Sequence, residues 1–298
     1  TGPAGGGAVY GDGSGGALNI SSNTNWATNP PSSFNFQFSS ITVSSGVTFT
    51  VPSGIKLKCN GNVNIMGNIQ VLGSPTNALF PEKGVAYSAA GPGTNNSKAA
   101  FEAKFTSFIN IPEFGGAAGS IATTASSTTE GGSGGGSFAI YANGTITISG
   151  TISANGGNAL PGDMLENFVG AGGGAGGLIV LLSKTSVTNA GTINANGGNG
   201  GNGNFISGTL HRVAGGGGGG GIVLFVSPTN STGTVNTSFG SAGINAAGSN
   251  TSSTSGGSGG GCGGDGGVGG LGNPLTNPSS GSVGKVRSIV ASNPENLF

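Results

Sequence analysis

Three glycine runs, Gly131 to Gly136, Gly172 to Gly177 and Gly215 to Gly221, each lead straight into an apolar segment: Phe138 to Tyr141, Leu178 to Leu182 and Ile222 to Val226. The spacing sets a long unit of about 40 residues, the size at which repeats bury their apolar faces only by stacking on one another. Shorter copies run through the same stretch. Gly61 to Gly73 reads Gly-Asn-Val-Asn-Ile-Met-Gly-Asn-Ile-Gln-Val-Leu-Gly, and Gly144 to Gly156 superposes on it without a gap as Gly-Thr-Ile-Thr-Ile-Ser-Gly-Thr-Ile-Ser-Ala-Asn-Gly. Val187 to Gly198 is a third copy and Ser241 to Gly248 a worn fourth. Apolar and polar residues alternate on either side of a glycine, as in a strand, a tight corner and a second strand with one face inward.

These patterns predict an all-β chain of one domain, 1–298, most simply a parallel β-solenoid. Asn155, Gly156, Asn196 and Gly197 are its expected corners, because Asn and Gly enter positive φ cheaply. A β-sandwich or jelly roll whose hairpins merely look alike is the alternative. Disorder is disfavoured: apolar residues make up 34% of the chain and gather in short β-branched runs. The longest apolar runs, Leu178 to Leu182 and Ile222 to Val226, fall far short of the roughly 20 residues of a membrane-spanning helix.

Residues 74–130 depart from the pattern and hold seven of the eighteen charges, so they read as an insertion. Within it a short helix is expected over 97–109. Ser97 can cap it, Lys98 stands four before Glu102, and Phe101, Phe105 and Phe108 share a face. At the other end of the chain, residues 1–20, with Val9, Tyr10, Leu18 and Ile20, form either the first strand of the fold or a strand lent to a neighbouring subunit.

Chemistry is thinly supplied. Nine Lys and Arg balance nine Asp and Glu, leaving no basic stripe for nucleic acid or anionic lipid. With 67 glycines, matches to G-x-G-x-x-G arise by composition alone, and Gly281 to Lys285 lacks the rest of a phosphate-binding loop. Gly260 to Val268 approaches a calcium-binding nonapeptide, but only one imperfect copy exists, so no metal or cofactor is expected. Asp163 and Glu166 are the candidate carboxylate pair for glycan cleavage. His211, beside Arg212, lacks an identifiable nucleophile and orienting group. No enzyme is expected.

Cys59 and Cys262 are candidates for a disulfide, within the chain or between subunits, or for two buried free thiols. Asn19, Asn95, Asn143, Asn230, Asn236 and Asn250 lie in N-x-S/T sequons and permit glycosylation where the host supplies it. The chain opens at Thr1 without methionine and reads as a mature, exported product.

Gly11 to Ser22, the run Ile41 to Val51, the Gly-Thr-Ile rungs and the glycine blocks together resemble glycine-rich surface and filament proteins of prokaryotes, secreted β-helical adhesins among them. The glycine blocks are also similar to those of phage tail-tip adhesins. That resemblance implies an extracellular structural or adhesive role, and for the tail-tip class packed polyglycine helices with variable loops between them. The expectation is a secreted subunit of a self-assembling filament, sheath or fibre, its main partner a further copy of itself, since low charge leaves little repulsion between copies. A receptor-binding adhesin for surface glycans or proteins is the alternative, and a polysaccharide-processing β-helix the third.

Overall fold

A computed structural model describes residues 7–73, 115–123, 128–160, 167–206, 212–246, 254–272 and 274–297. The chain winds into six coils, each giving one strand to each of three parallel sheets. The first coil holds β1 (Ala17–Ile20), β2 (Thr24–Asn25) and β3 (Gln37–Phe38), and the second β4 (Ser40–Val43), β5 (Thr48–Val51) and β6 (Ile55–Cys59). In the third, β7 (Val63–Ile65) and β8 (Asn68–Val71) are parted from β11 (Ser137–Ala142) by a long excursion holding the hairpin β9 (Ala122–Thr123) and β10 (Thr128–Thr129). The fourth coil is β12 (Ile146–Ile148), β13 (Thr151–Ser153) and β14 (Leu178–Ser183), and the fifth β15 (Val187–Asn189), β16 (Thr192–Asn194) and β17 (Ile222–Ser227). The sixth is β18 (Asn230–Ser231), β19 (Thr234–Asn236) and β22 (Lys285–Val290), with the small hairpin β20 (Leu271–Gly272) and β21 (Leu275–Thr276) inside its excursion.

Every neighbouring pair in the three large sheets is parallel and in register. The chain is therefore a parallel β-solenoid, and the sandwich alternative, built from antiparallel hairpins, does not apply. Inward side chains stack in rows along the axis. One row is Ile41, Val63, Ile146 and Val187, a second Phe49, Ile69, Ile152 and Ile193, and a third Leu57, Ile140, Leu181 and Phe225, all at most 1% exposed. Through β11, β14 and β17 the third sheet is buried on both faces. Behind it lie Tyr10 and Cys262, packed with Tyr141, Val180, Leu182, Leu224 and Val226, which accounts for the continuous apolar runs of β14 and β17.

Three short sequence copies are the strand–glycine–strand corners β7–β8, β12–β13 and β15–β16. The fourth is displaced from its expected place. It is Asn230 to Asn236 around Gly233, whose φ is 53°, whereas Ser241 to Asn245 belongs to a different layer. Apolar residues are sparse in the true copy, which hid it.

That layer is built from the excursions between the second and third sheets, residues 115–120, 131–136, 154–160, 170–177, 195–204, 213–221, 237–246 and 255–284. They run out from the solenoid and back as extended segments joined by backbone hydrogen bonds in steps of three. Within 170–177, the Gly172 and Ala175 N–H groups donate to Ser120 and Ala117 O at 3.0 and 2.9 Å. Gly173 and Gly176 donate to Gly216 and Gly219, both at 2.9 Å, and Gly174 and Gly177 to Gly157 and Ala154 at 2.9 and 2.7 Å. Its carbonyls accept from three further segments, through Gly132 and Gly135, Gly198 and Gly201, and Gly257 and Gly260. Six neighbours and a three-residue period define a threefold, polyproline-II-like helix in hexagonal packing.

Glycine is required there for close approach, not for unusual backbone angles. None of these array glycines has positive φ, yet a Cβ on Gly174 would overlap Ser133 O, and one on Gly215 would overlap Ala171 O. The expected corners are corrected on the same ground. Gly156 and Gly197 sit at ordinary φ against the carbonyls of Gly174 and Gly218. Asn155 and Asn196 instead stand on the flank of the array. Asn155 and Asn158 Oδ1 accept from the Asn196 and Asn199 N–H, each at 2.8 Å, and Asn196, Asn199 and Asn202 from Ser238, Ser241 and Ile244, each at 2.9 Å. The Asn-Gly-Gly triplets thus continue the three-residue period with side-chain amides.

The two termini meet on the outer face of the third sheet. Gly7–Tyr10 is a short helix (α1) and Pro294–Leu297 a 3-10 turn. The Tyr10 hydroxyl donates to Glu295 Oε2 at 3.1 Å, and Lys184 Nζ lies 3.4 Å from Oε1. Burial opposes the Glu295 charge, but its backbone amide, the Tyr10 hydroxyl and Lys184 outweigh this and hold the carboxyl below its ordinary value of 4.5. Burial, then the Glu295 charge and hydrogen bond, push the Tyr10 phenol above its ordinary 10. The carboxylate's contribution is therefore complete above pH 4.5 and fades as pH falls through its lowered value, and the phenol's is complete below pH 10 and fades above it. Amide protection factors in residues 285–297, measured against intrinsic exchange at each pH, should stay constant across that window and fall at both extremes, and Glu295→Gln should remove the acid limb.

Candidate functional site

The described ends of the excursions gather at the end of the array away from the sheets. Leu160 N–H bonds Glu130 O at 3.0 Å, Gly170 bonds Val213 at 2.8 Å, and Gly257 bonds Gly170 at 2.9 Å, so these ends lie side by side. Antiparallel bridges tie their bases, Phe168 to Asn204, Arg212 to Ala246 and Ser255 to Leu271. A small apolar cluster of Ala122, Val169, Ala171 and Val213 anchors them, and the buried Thr129 hydroxyl donates to Val169 O at 2.7 Å.

From this base large apolar side chains reach solvent: Ile121, Leu160, Ile206 and Leu275, exposed by 38 to 51%. Beside them a cavity of about 310 Å³ is lined by Ala159, Phe168, Asn202, Asn204 and the glycines between 200 and 203. Gly201 differs from the other array glycines here, since a Cβ on it would come no closer than 3.3 Å to any neighbour. The end of the array is a backbone platform that carries exposed aliphatic groups among the described residues. It can bind by shape and apolar contact, and it supplies no arrangement for bond cleavage among the described residues.

Asp163, Glu166, His211, Asn95, Asn250 and the expected helix 97–109 are outside the described residues. Arg212 is placed at the platform, where its Nε is buried without a hydrogen-bond partner. Asp265 sits where segment 255–264 turns back, its N–H bonding Ser282 Oγ at 2.7 Å. Among the described residues no three His, Cys, Asp or Glu gather at a point, and no helix is long and apolar enough to cross a membrane.

Cys59 and Cys262 are both free and fully buried. They lie on opposite faces of the third sheet, Cys59 in the solenoid core and Cys262 behind it. Burial pushes the Cys262 thiol up to about 12 and raises Cys59 as well, which leaves both thiols weakly reactive in the folded chain. Of the residues expected on an intersubunit strand, Val9 and Tyr10 lie in α1, while Leu18 and Ile20 lie in β1, paired on one edge with β4. Asn19 is exposed on β1. Asn143 is half-buried, Asn230 Nδ2 donates to Ile289 O at 3.0 Å, and Asn236 Nδ2 to Asn194 Oδ1 at 2.8 Å. Comparison with protein-family models, curated proteins and solved structures finds no match.

Proposed function

We propose that this chain is an extracellular recognition module, an adhesin in which the solenoid is the stem and the glycine array a platform for the connections at its outer end. One observation carries the reading. The first two coils close in 23 and 22 residues, Ala17 to Ser40 and Ile41 to Val63, so stacking alone needs no more chain than that. Every later coil adds an excursion that ends at the same platform. The exposed aliphatic groups Leu160, Ile206 and Leu275 suit contact with the apolar faces of glycans or the apolar parts of a surface protein.

The test is binding of the purified chain to glycan arrays and to panels of intact cells, compared with a variant carrying Leu160→Asp, Ile206→Asp and Leu275→Asp. Binding that the triple variant loses supports the reading. Absence of binding to any surface, or equal binding by both proteins, removes it.

A self-assembling filament subunit is the second reading, favoured by one observation: among the described residues the strands of the last coil are paired on one edge alone. Electron microscopy of the purified chain distinguishes the two, regular filaments supporting assembly and discrete particles the adhesin.

A further inference from the structure

The two ends of the solenoid are finished differently. At the first coil the interior is closed by aromatic rings from the connection between β2 and β3. Trp26 is only 7% exposed, set edge-on to Phe49 at 4.6 Å between ring centres, with Phe36 at 5.6 Å and Phe34 edge-on to Phe36 beyond it. At the sixth coil no such closure exists among the described residues. Val286 is in register with the core residue Val223, and Val290 with the buried Ser227. They are nonetheless 37% and 73% exposed. The last layer of the array adds Phe239, Ile244 and Val283, exposed by 44, 73 and 60%. Repeat folds need a polar cap at each end to stay soluble, and an open parallel edge with apolar side chains is a pairing surface.

We propose that this C-terminal end is the interface of a two-fold, tail-to-tail dimer of the chain. A head-to-tail copy would have to stack on the first coil, which Trp26 and Phe36 close. The edge strand β22, by contrast, is self-complementary. Paired antiparallel with its own copy about Ser288, it sets Val286 opposite Val290, Arg287 opposite Ile289 and Lys285 opposite Ala291, with no like charges opposed. The array accepts the same operation. Within one chain it already packs segments both parallel, as 173–176 on 216–219, and antiparallel, as 174–177 on 157–154, so a rotated copy extends the packing. An isologous contact closes on itself, giving a dimer and not a fibre. The proposal does not depend on the adhesin reading, because its central strand β22 belongs to the third sheet of the solenoid and not to the platform.

Light scattering on the full chain tests it. The expected mass is twice 28.1 kDa, and Val286→Lys with Val290→Lys should weaken the dimer by about 100-fold, or about 2.7 kcal/mol, while leaving the far-UV circular dichroism spectrum of the folded chain unchanged. Oxidised Ser288→Cys should run as a covalent dimer on a non-reducing gel, since the native thiols are buried. A monomer at tens of micromolar, open-ended polymers, an unchanged mass for the double lysine variant, or no covalent dimer would each overturn the proposal.

Discussion

Gly218→Val is expected to dismantle the glycine array, at a cost of about 4 kcal/mol or more, roughly 10 °C in melting temperature for a chain of this size. Segment 213–221 is surrounded on all sides. Its N–H groups reach 195–201, 257–260 and 279–282, and its carbonyls accept from 170–176, 240–243 and 267–270. A Cβ on Gly218 would overlap Gly174 O, and the atoms on that side are backbone, which cannot swing away as a side chain can. The segment also feeds directly into β17, so the third sheet should loosen with it. Gly201→Ala is the control. Its nearest neighbours would be Ala159 Cβ and Ala171 N at 3.3 Å, and it should stay within about 1 kcal/mol of the native protein. Thermal unfolding followed by circular dichroism reads both. Equal melting of the valine variant and the native chain would mean that the segments do not pack as described.

Phe49→Ala should be nearly as damaging, by about 3 to 5 kcal/mol, the range for emptying a buried aromatic site. Phe49 is fully buried in β5, in register with Ile69 and against the Trp26 ring. Its loss opens a cavity and removes the support of the aromatic closure together. Trp26 is the sole tryptophan, so its emission should shift to the red in the folded variant. Phe34→Ala, at a ring 73% exposed, should change stability by less than about 0.5 kcal/mol. A blue, unshifted Trp26 in a stable Phe49→Ala protein would show that the first coil is not closed by these rings.

The solenoid was legible because its signal is carried by side chains. Val63, Ile65 and Ile69, like Ile146, Ile148 and Ile152, alternate with polar residues about a glycine, and that period of two leaves one face to bury. The last coil was misplaced because Asn230, Ser231 and Thr234 carry little of that alternation. The platform was less visible. The alternation of apolar and polar residues that marks the strands is absent from its glycine segments, and Asn155, Gly156, Asn196 and Gly197, which suggest corners by residue type, belong to the flank of the array. Val9 and Tyr10 were read as a strand from apolar character alone, but Tyr10 is held by Glu295, at the far end of the chain.

By itself the sequence determined that the chain is all β, that its short repeats stack, and that glycine runs precede the apolar strands of the third sheet. Tertiary structure alone decided what those runs do. A glycine segment has no side chain to specify a neighbour, and its backbone groups bond any extended partner at the right distance. Which six segments surround 170–177 is therefore set by where the sheets launch and receive the chain. The same holds at the two ends: aromatic residues are present in the sequence, but only the coil that brings Trp26, Phe36 and Phe49 together makes one end closed and leaves the other open.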